Sequence, residues 1–273
     1  MLMIRFALAA AALAAGASSA FAQSPAQRGE YLVNSILNCG NCHTPRGPAG
    51  ADKPFAGGNL FEAPAFKVYS SNLTPDKETG LGNWTAEQIK TAIMKGVRPD
   101  GTVLAVMPSA YYTVLTPRDA DAIVAYLRSL KPIKNAVPTP EYKVALRADL
   151  TPPAMGKISR KARRGYYLAT IGHCMECHSP REKGVSLIRT ELGVGKHEFT
   201  GPWGTSTSRN ITSDKDKGIG GWTDAEIKRA ITTGVSRNGD KLKPPMGYAA
   251  YAKMTDKDMS DLIAYLRTVP AKQ

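Results

Sequence analysis

Histidine and cysteine are scarce in this sequence, which contains four of each among its 273 residues. The cysteines form two Cys-x-x-Cys pairs, a pattern that disulfides, a zinc site or a thioredoxin-like redox pair would also produce. However, a histidine directly follows each pair, and the offset of 135 residues between the pairs disfavours a shared zinc site. The segments 39–43 (Cys-Gly-Asn-Cys-His) and 174–178 (Cys-Met-Glu-Cys-His) are instead typical of covalent haem c attachment.

Long apolar runs are absent beyond the N-terminus, so the sequence predicts no transmembrane anchor. The N-terminus has a positive charge at Arg5, an Ala/Leu-rich stretch and the small-residue pattern 20–22 (Ala-Phe-Ala), as a secretory signal does. Its apolar run, from Phe6 to about Ala15, is too short to span a bilayer. We therefore expect residues 1–22 to be a cleaved signal peptide, the mature chain to begin near Gln23, and the protein to be periplasmic.

Acidic residues are in deficit, with 23 Asp and Glu against 36 Lys and Arg and a formal net charge of +13. Haem propionates would reduce this surplus. The basic residues are scattered and no nucleic-acid-binding motif is present, so we expect no nucleic-acid partner. A positive surface instead favours encounter with redox partner proteins that have acidic docking surfaces.

The chain contains an internal repeat whose offset changes in small steps, as insertions in loops would cause. Cys39 corresponds to Cys174 at an offset of 135 residues, Trp84 to Trp222 at 138, and Met107 to Met246 at 139. The repeat predicts two similar domains, at 24–135 and 158–273, joined by a proline-containing linker at 136–157.

Both copies have the same helix signals, and we find no alternating strand pattern of useful length. The expected helices are a first one at about 28–37 and 162–171, a middle one capped by Thr85 or Thr223 and ending at Gly96 or Gly234, and a last one after Thr116 or Thr255. The sequence therefore predicts an all-α fold with long irregular loops against each haem.

The motif itself indicates the proximal iron ligands, whereas the distal ligands can be identified only by comparing the two copies of the repeat. We expect thioethers at Cys39, Cys42, Cys174 and Cys177 and proximal iron ligation by His43 and His178. Of nine methionines, only Met107 and Met246 occupy equivalent positions, each in a proline-bearing loop before the last helix. They are the predicted distal ligands, and buried Met side chains that merely fill space are the alternative.

Other residues between the motifs are weaker candidates. His173 precedes Cys174 on the proximal side and is poorly placed as a distal ligand, whereas His197 could be a ligand or a pH-sensitive group. We expect polar-tipped residues to line the pockets and bond propionates, with core packing as the alternative for the tryptophans. These residues are Trp84, Trp222, Asn72, Asn210 and Tyr69.

Three segments carry a resemblance to a known family: 54–58 (Pro-Phe-Ala-Gly-Gly), 69–76 (Tyr-Ser-Ser-Asn-Leu-Thr-Pro-Asp) and 80–85 (Gly-Leu-Gly-Asn-Trp-Thr). They resemble the cytochrome c subunits of periplasm-facing alcohol, aldehyde and gluconate dehydrogenases, and the second copy is similar but looser. The resemblance covers nearly all of the predicted mature chain. It implies two tandem class I cytochrome c domains, each with a His/Met-ligated haem. Those subunits usually have a third haem domain and a membrane-binding tail, whereas for this sequence we expect two haem domains and no apolar anchor.

The leading hypothesis is a di-haem electron-transfer protein, not an enzyme, that passes electrons from a dehydrogenase or another donor towards the respiratory chain. A haem enzyme is the alternative. A di-haem peroxidase needs an iron with an open position, against which the paired methionines argue. A thiosulfate dehydrogenase uses a cysteine as a distal ligand, and here all four cysteines are assigned to thioethers. Redox sensing and haem delivery are further alternatives.

Overall fold

The computed structural model describes residues 23–50, 52–104, 106–143 and 158–273. The predicted signal peptide at 1–22 and residues 144–157 of the predicted linker lie outside these ranges. Met1, Met3 and Met155, which the repeat did not favour as ligands, lie outside them as well.

Helices recur in the same order in the two halves of the described chain. The first half contains α1 (Pro25–Asn34), α2 (Gly40–His43), α3 (Ala86–Lys95), α4 (Ser109–Tyr112) and α5 (Pro117–Ser129). The second half contains α6 (Arg163–Ile171), α7 (Cys174–Cys177), α8 (Asp224–Thr233), α9 (Tyr248–Tyr251) and α10 (Asp256–Leu266). Single 3₁₀ turns occupy Pro48–Gly50 and Arg160–Ala162.

The middle helices begin and end where the sequence predicts. Thr85 forms a capping box with Gln88, and Thr223 forms one with Glu226, so free backbone N–H groups at both helix starts are bonded. Gly96 and Gly234 end the helices with left-handed backbone at φ 63° and 66°.

Helix α1 begins three residues earlier than the predicted start at 28. Ser24 forms a capping box with Gln27, and Pro25 occupies the first turn, where a missing N–H costs nothing. The helix also ends earlier, at Asn34. The chain then turns through Asn38, which has a φ of 46°, before it reaches Cys39.

Short strands accompany the helices, so the all-α expectation is not confirmed. In the first half, β1 (Leu60–Ala63) pairs antiparallel with β2 (Phe66–Tyr69), and β3 (Glu141–Tyr142), from the predicted linker, adds to β2. The second half has β4 (Arg181–Glu182) with β5 (Val185–Ser186), and β6 (Glu198–Gly201) with β7 (Gly204–Thr207). These strands have two to four residues, too few for an alternating pattern to be visible in the sequence.

The core of each half forms where its first helix crosses its last. Helix α1 packs on α5, and α6 packs on α10. The crossings are close at glycines: a Cβ on Gly29 would collide with the carbonyl of Ala122, and one on Gly165 with that of Asp261. Buried side chains around both crossings belong to one continuous hydrophobic cluster, which includes Leu32, Ile36, Ile123, Leu168, Ile171, Leu262 and Ile263.

The close packing of α1 on α5 leads us to expect that Gly29→Ala destabilises the protein. The added methyl group meets backbone, which cannot move aside as a side chain can, so the helices must separate. We expect the free energy of unfolding to fall by about 1–3 kcal/mol, measured by chemical denaturation. The exposed neighbour Glu30 on the same helix is the control. Glu30→Ala should change stability by less than about 0.5 kcal/mol, and an equal loss in both variants would contradict the packing argument.

Candidate haem-binding sites

Each Cys-x-x-Cys-His segment forms a single helical turn. The backbone N–H of His43 donates to the carbonyl of Cys39 at 2.9 Å, and that of His178 donates to Cys174 at 3.0 Å. Residues three and four apart in a helical turn lie on the same side, so the turn gathers two sulfurs and one imidazole. This is the arrangement that two thioethers and an adjacent iron ligand require.

The four cysteines are half-buried, and none is in a disulfide. Burial raises the pKa of Cys39, Cys174 and Cys177 to about 12, so these thiols stay protonated at neutral pH. A redox pair uses the thiolate. Within the described ranges, no group of three or more His, Cys, Asp or Glu side chains is arranged to hold a metal ion by itself. The cysteines therefore suit covalent attachment to a porphyrin better than either alternative.

Both proximal histidines are held by a backbone carbonyl. Nδ1 of His43 lies 2.8 Å from the carbonyl oxygen of Ser71, and Nδ1 of His178 lies 2.7 Å from that of Arg209. Only an Nδ1–H can donate to a carbonyl, so Nε2 carries the free lone pair that iron needs. Burial lowers the pKa of both histidines, which keeps the rings neutral. The donor set thus fits haem iron in each half.

Glycines let the chain approach these carbonyls. Gly57 has a φ of 73° and Gly195 a φ of 80°, a backbone region that disfavours other residues. A Cβ on Gly57 would also collide with the carbonyl of Ser71, and one on Gly195 with that of Arg209. The N–H groups of the two glycines donate to the carbonyls of His43 and His178, each at 2.8 Å. Each glycine therefore contacts both partners of the proximal hydrogen bond: it donates to the backbone carbonyl of the histidine and lies against the carbonyl that accepts from the histidine ring.

One position after each attachment turn is equivalent in the two halves but holds a different residue, Asn59 in the first half and His197 in the second. Asn59 donates through Nδ2 to the carbonyls of Cys42 and Thr44, at 2.6 and 2.7 Å. His197 takes the corresponding place, since its N–H donates to Ser208 Oγ as that of Asn59 does to Ser70 Oγ. The sequence alone does not identify a counterpart for His197. The structure supplies Asn59, because the extra residues of the second loop precede position 195.

The predicted distal residues Met107 and Met246 also occupy matching positions. Both are half-buried and pack against the hydrophobic cluster. Their carbonyls accept hydrogen bonds from Ser109 and Tyr248 at the starts of α4 and α9, at 2.7 and 3.1 Å. Met175 and Met259, in contrast, are fully buried core residues. Iron ligation by the matched pair stays a prediction.

The predicted propionate-binding asparagines hold the loops together. Asn72 accepts hydrogen bonds from the N–H and the hydroxyl of Thr74 and donates to the carbonyl of Ile133 at 2.8 Å. Asn210 makes the same bonds to Thr212 and donates to the carbonyl of Lys272 at 2.6 Å. The side-chain amides of both asparagines are thus hydrogen-bonded to other groups of the protein. A role towards propionates stays a prediction.

The tryptophans connect the middle of each half to its last helix. Both rings are half-buried and pack against the hydrophobic cluster. Arg128 in α5 donates to the carbonyl of Trp84 at 2.9 Å, and Arg267, directly after α10, donates to that of Trp222 at 2.7 Å. Tyr69 lies half-buried in β2. A place for these rings in the haem pockets stays a prediction.

Comparisons with known proteins agree with the geometry. The family described as "Cytochrome c" matches residues 162–270, and the family described as "Cytochrome C oxidase, cbb3-type, subunit III" matches residues 24–127. The fructose dehydrogenase cytochrome subunit of Gluconobacter japonicus is 33% identical over 266 residues, covering 90% of this chain and 52% of that protein. The cytochrome c subunit of the alcohol dehydrogenase (quinone) of Gluconobacter oxydans is 30% identical, covering 90% and 55%.

A third relative matches in length as well. The "Diheme cytochrome c-type" protein of Cereibacter sphaeroides is 26% identical over 265 residues, which cover 90% of this chain and 86% of that protein. The chain spans little more than half the length of the two dehydrogenase subunits. In the described part of the chain, no helix has the length and hydrophobicity needed to cross a membrane.

The distal assignment predicts the spectra of two variants. A methionine bound to ferric haem iron gives a weak charge-transfer band in the far red, so Met107→Ala and Met246→Ala should each remove half of it. The absorption spectrum of the oxidised protein measures this. Met94→Ala, on α3 of the first half, is the matched control and should keep the whole band. A full band in either of the first two variants would show that another group occupies that iron.

A separate prediction concerns Gly57, the glycine beside the proximal histidine of the first half. Gly57→Ala and Gly101→Ala both place a side chain at positive φ, which costs about 1–2 kcal/mol at each position. Only Gly57 faces a carbonyl, because the space around Gly101 is open. We expect Gly57→Ala to lower the thermal unfolding temperature further and to shift the reduction potential of one haem. Equal effects of the two variants would refute the close-approach argument.

Proposed function

Because this chain belongs to the c-type cytochromes, with one such domain in each half, we propose that it is a periplasmic di-haem electron-transfer protein. It accepts electrons from a dehydrogenase and passes them towards the respiratory chain. The proposal includes two covalently bound haem c groups, one per domain. It contains no catalytic step on a substrate.

The observation that carries this proposal is the repetition of one set of candidate haem-binding residues. Each half has a Cys-x-x-Cys-His turn, a histidine whose Nδ1 is bonded to a carbonyl, and a methionine at a matching place. A haem c bound by histidine and methionine supplies a one-electron couple at a raised potential. A closed sixth position suits electron transfer, whereas peroxide chemistry needs an open one.

The relatives support a dehydrogenase as the partner, because several of them are cytochrome subunits of such enzymes. Charge distinguishes the two domains. Residues 158–273 contain 20 Lys and Arg against 12 Asp and Glu, whereas residues 24–135 contain 12 against 9. In the segment that precedes Met246, Lys241 and Lys243 are exposed, and directly before Met107, Val106 is exposed. We propose that the second domain docks the more acidic of two redox partners, since opposite charges steer encounter.

The test uses the full chain with haem attached. Two haems per chain are expected by pyridine haemochrome assay, and one in Cys174→Ser/Cys177→Ser. Cell fractionation should place the protein in the periplasm. The catalytic subunit of an alcohol, fructose or gluconate dehydrogenase should reduce the protein in the presence of its substrate. The reduced protein should not bind CO readily, since both irons are closed.

Two results would overturn the proposal. Rapid CO binding at one haem, together with peroxide turnover, would indicate the enzyme alternative. A protein that stays oxidised with every such dehydrogenase, yet is reduced by chemical reductants, would indicate a different donor.

A further inference from the structure

Two buried carboxylates connect the domains through matched hydrogen bonds. Asp119 on α5 accepts from Nε and Nη2 of Arg28 in its own domain, at 2.9 and 3.1 Å. It also accepts from the hydroxyl of Tyr167 in the second domain, at 2.6 Å. Only 6% of the Asp119 side chain is exposed, so these bonds take the place of its hydration.

The second carboxylate repeats the arrangement in the opposite direction. Asp258 on α10 accepts from Nε and Nη2 of Arg164 in its own domain, at 3.1 and 3.0 Å. It accepts from the hydroxyl of Tyr31 in the first domain, at 2.8 Å. The Tyr31 hydroxyl in turn accepts from the N–H of Thr255 at 3.2 Å. The Asp258 side chain is 10% exposed.

These residues are equivalent in the repeat. The offset is 136 residues from Arg28 to Arg164 and from Tyr31 to Tyr167, and 139 from Asp119 to Asp258. Each tyrosine leaves the first helix of one domain and bonds the last helix of the other. We call this set of six residues the reciprocal latch, because each domain gives the other one hydroxyl and receives one.

A second pair of contacts lies at the haem-attachment turns themselves. His173, just before Cys174, packs its ring edge-on to Tyr111 and Tyr112 of α4, with centroids 6.3 and 6.4 Å apart. Asn38, just before Cys39, touches Gly247 beside α9 so closely that a Cβ there would collide. Each attachment turn therefore lies against the segment that follows the methionine of the other domain.

We propose that the reciprocal latch holds the two domains as one unit with their haem-attachment turns facing each other, and that Tyr31 and Tyr167 are positioning residues for electron exchange between the two sites. The exchange moves one electron: one site is oxidised, the other is reduced, and no proton or bond moves. This redox consequence rests on the proposed function. The joining of the domains does not.

The experiment compares two double variants of the full-length protein with haem attached. Tyr31→Phe/Tyr167→Phe removes both hydroxyls that cross between domains. Tyr126→Phe/Tyr166→Phe is the control, since the Tyr126 hydroxyl accepts from Asn34 within its own domain and Tyr166 packs on Tyr265 within its own. The far-red methionine band must be intact in both proteins, which shows that neither site has been lost.

Three measurements follow: calorimetric unfolding, the magnetic interaction between the two ferric irons by electron paramagnetic resonance, and the rate of electron exchange after photoreduction. We expect one unfolding transition in the wild type and the control, and two in the latch variant. The latch variant should also lose the magnetic interaction and exchange electrons more slowly, because the attachment turns no longer face each other in one geometry.

The proposal would be overturned if the latch variant gave the same values as the wild type in all three measurements. It would also be overturned if the wild type itself showed two unfolding transitions and no magnetic interaction between the irons. If the double variant does not fold, Tyr31→Phe and Tyr167→Phe are measured singly, and each should weaken the interaction. A failure of the proposed function appears separately, as CO binding or a missing methionine band in the wild type.

Discussion

The hydrogen bond from histidine Nδ1 to a backbone carbonyl is the interaction on which each half of this protein depends. It fixes which nitrogen of His43 or His178 is free and which way the ring points. The carbonyls belong to Ser71 and Arg209, about thirty residues further along the chain, so the intervening loop must return to the attachment turn. The hairpin of β1 and β2, or of β6 and β7, makes that return with few residues. Gly57 and Gly195 have no Cβ, which lets the backbone lie close to the carbonyls of Ser71 and Arg209.

Much of this arrangement could be predicted from the sequence, because it depends on local chemistry. Threonine caps, C-terminal glycines and the Cys-x-x-Cys-His turns lie where their side chains or φ angles require. The repeat adds the matching positions of the two methionines, whose ligation of iron stays a prediction. Carbonyl acceptors could not be predicted, since any residue supplies one. The glycines at 57 and 195 were the available signal, because their matching positions required a close approach of two backbones.

Interactions between the domains were beyond sequence reasoning for a different reason. Asp119 and Asp258 look like ordinary helix-start acids, since the backbone N–H of each donates to the hydroxyl of the threonine that caps its own helix. Only the packing of the halves shows that each is also buried under a tyrosine from the other domain. The short strands could not be predicted because an alternating pattern cannot be recognised in two to four residues. The asymmetry of Asn59 and His197 was hidden by an insertion between them and the cysteines.

We propose that a methionine closes each of the two irons, in two sites held by one interface. Proton NMR of the fully reduced protein can show this ligation, because the haem ring current moves the methyl group of a bound methionine far upfield of other signals. We expect two such methyl resonances, one lost in Met107→Ala and the other in Met246→Ala. One resonance, or none, in the wild type would refute the proposed ligation.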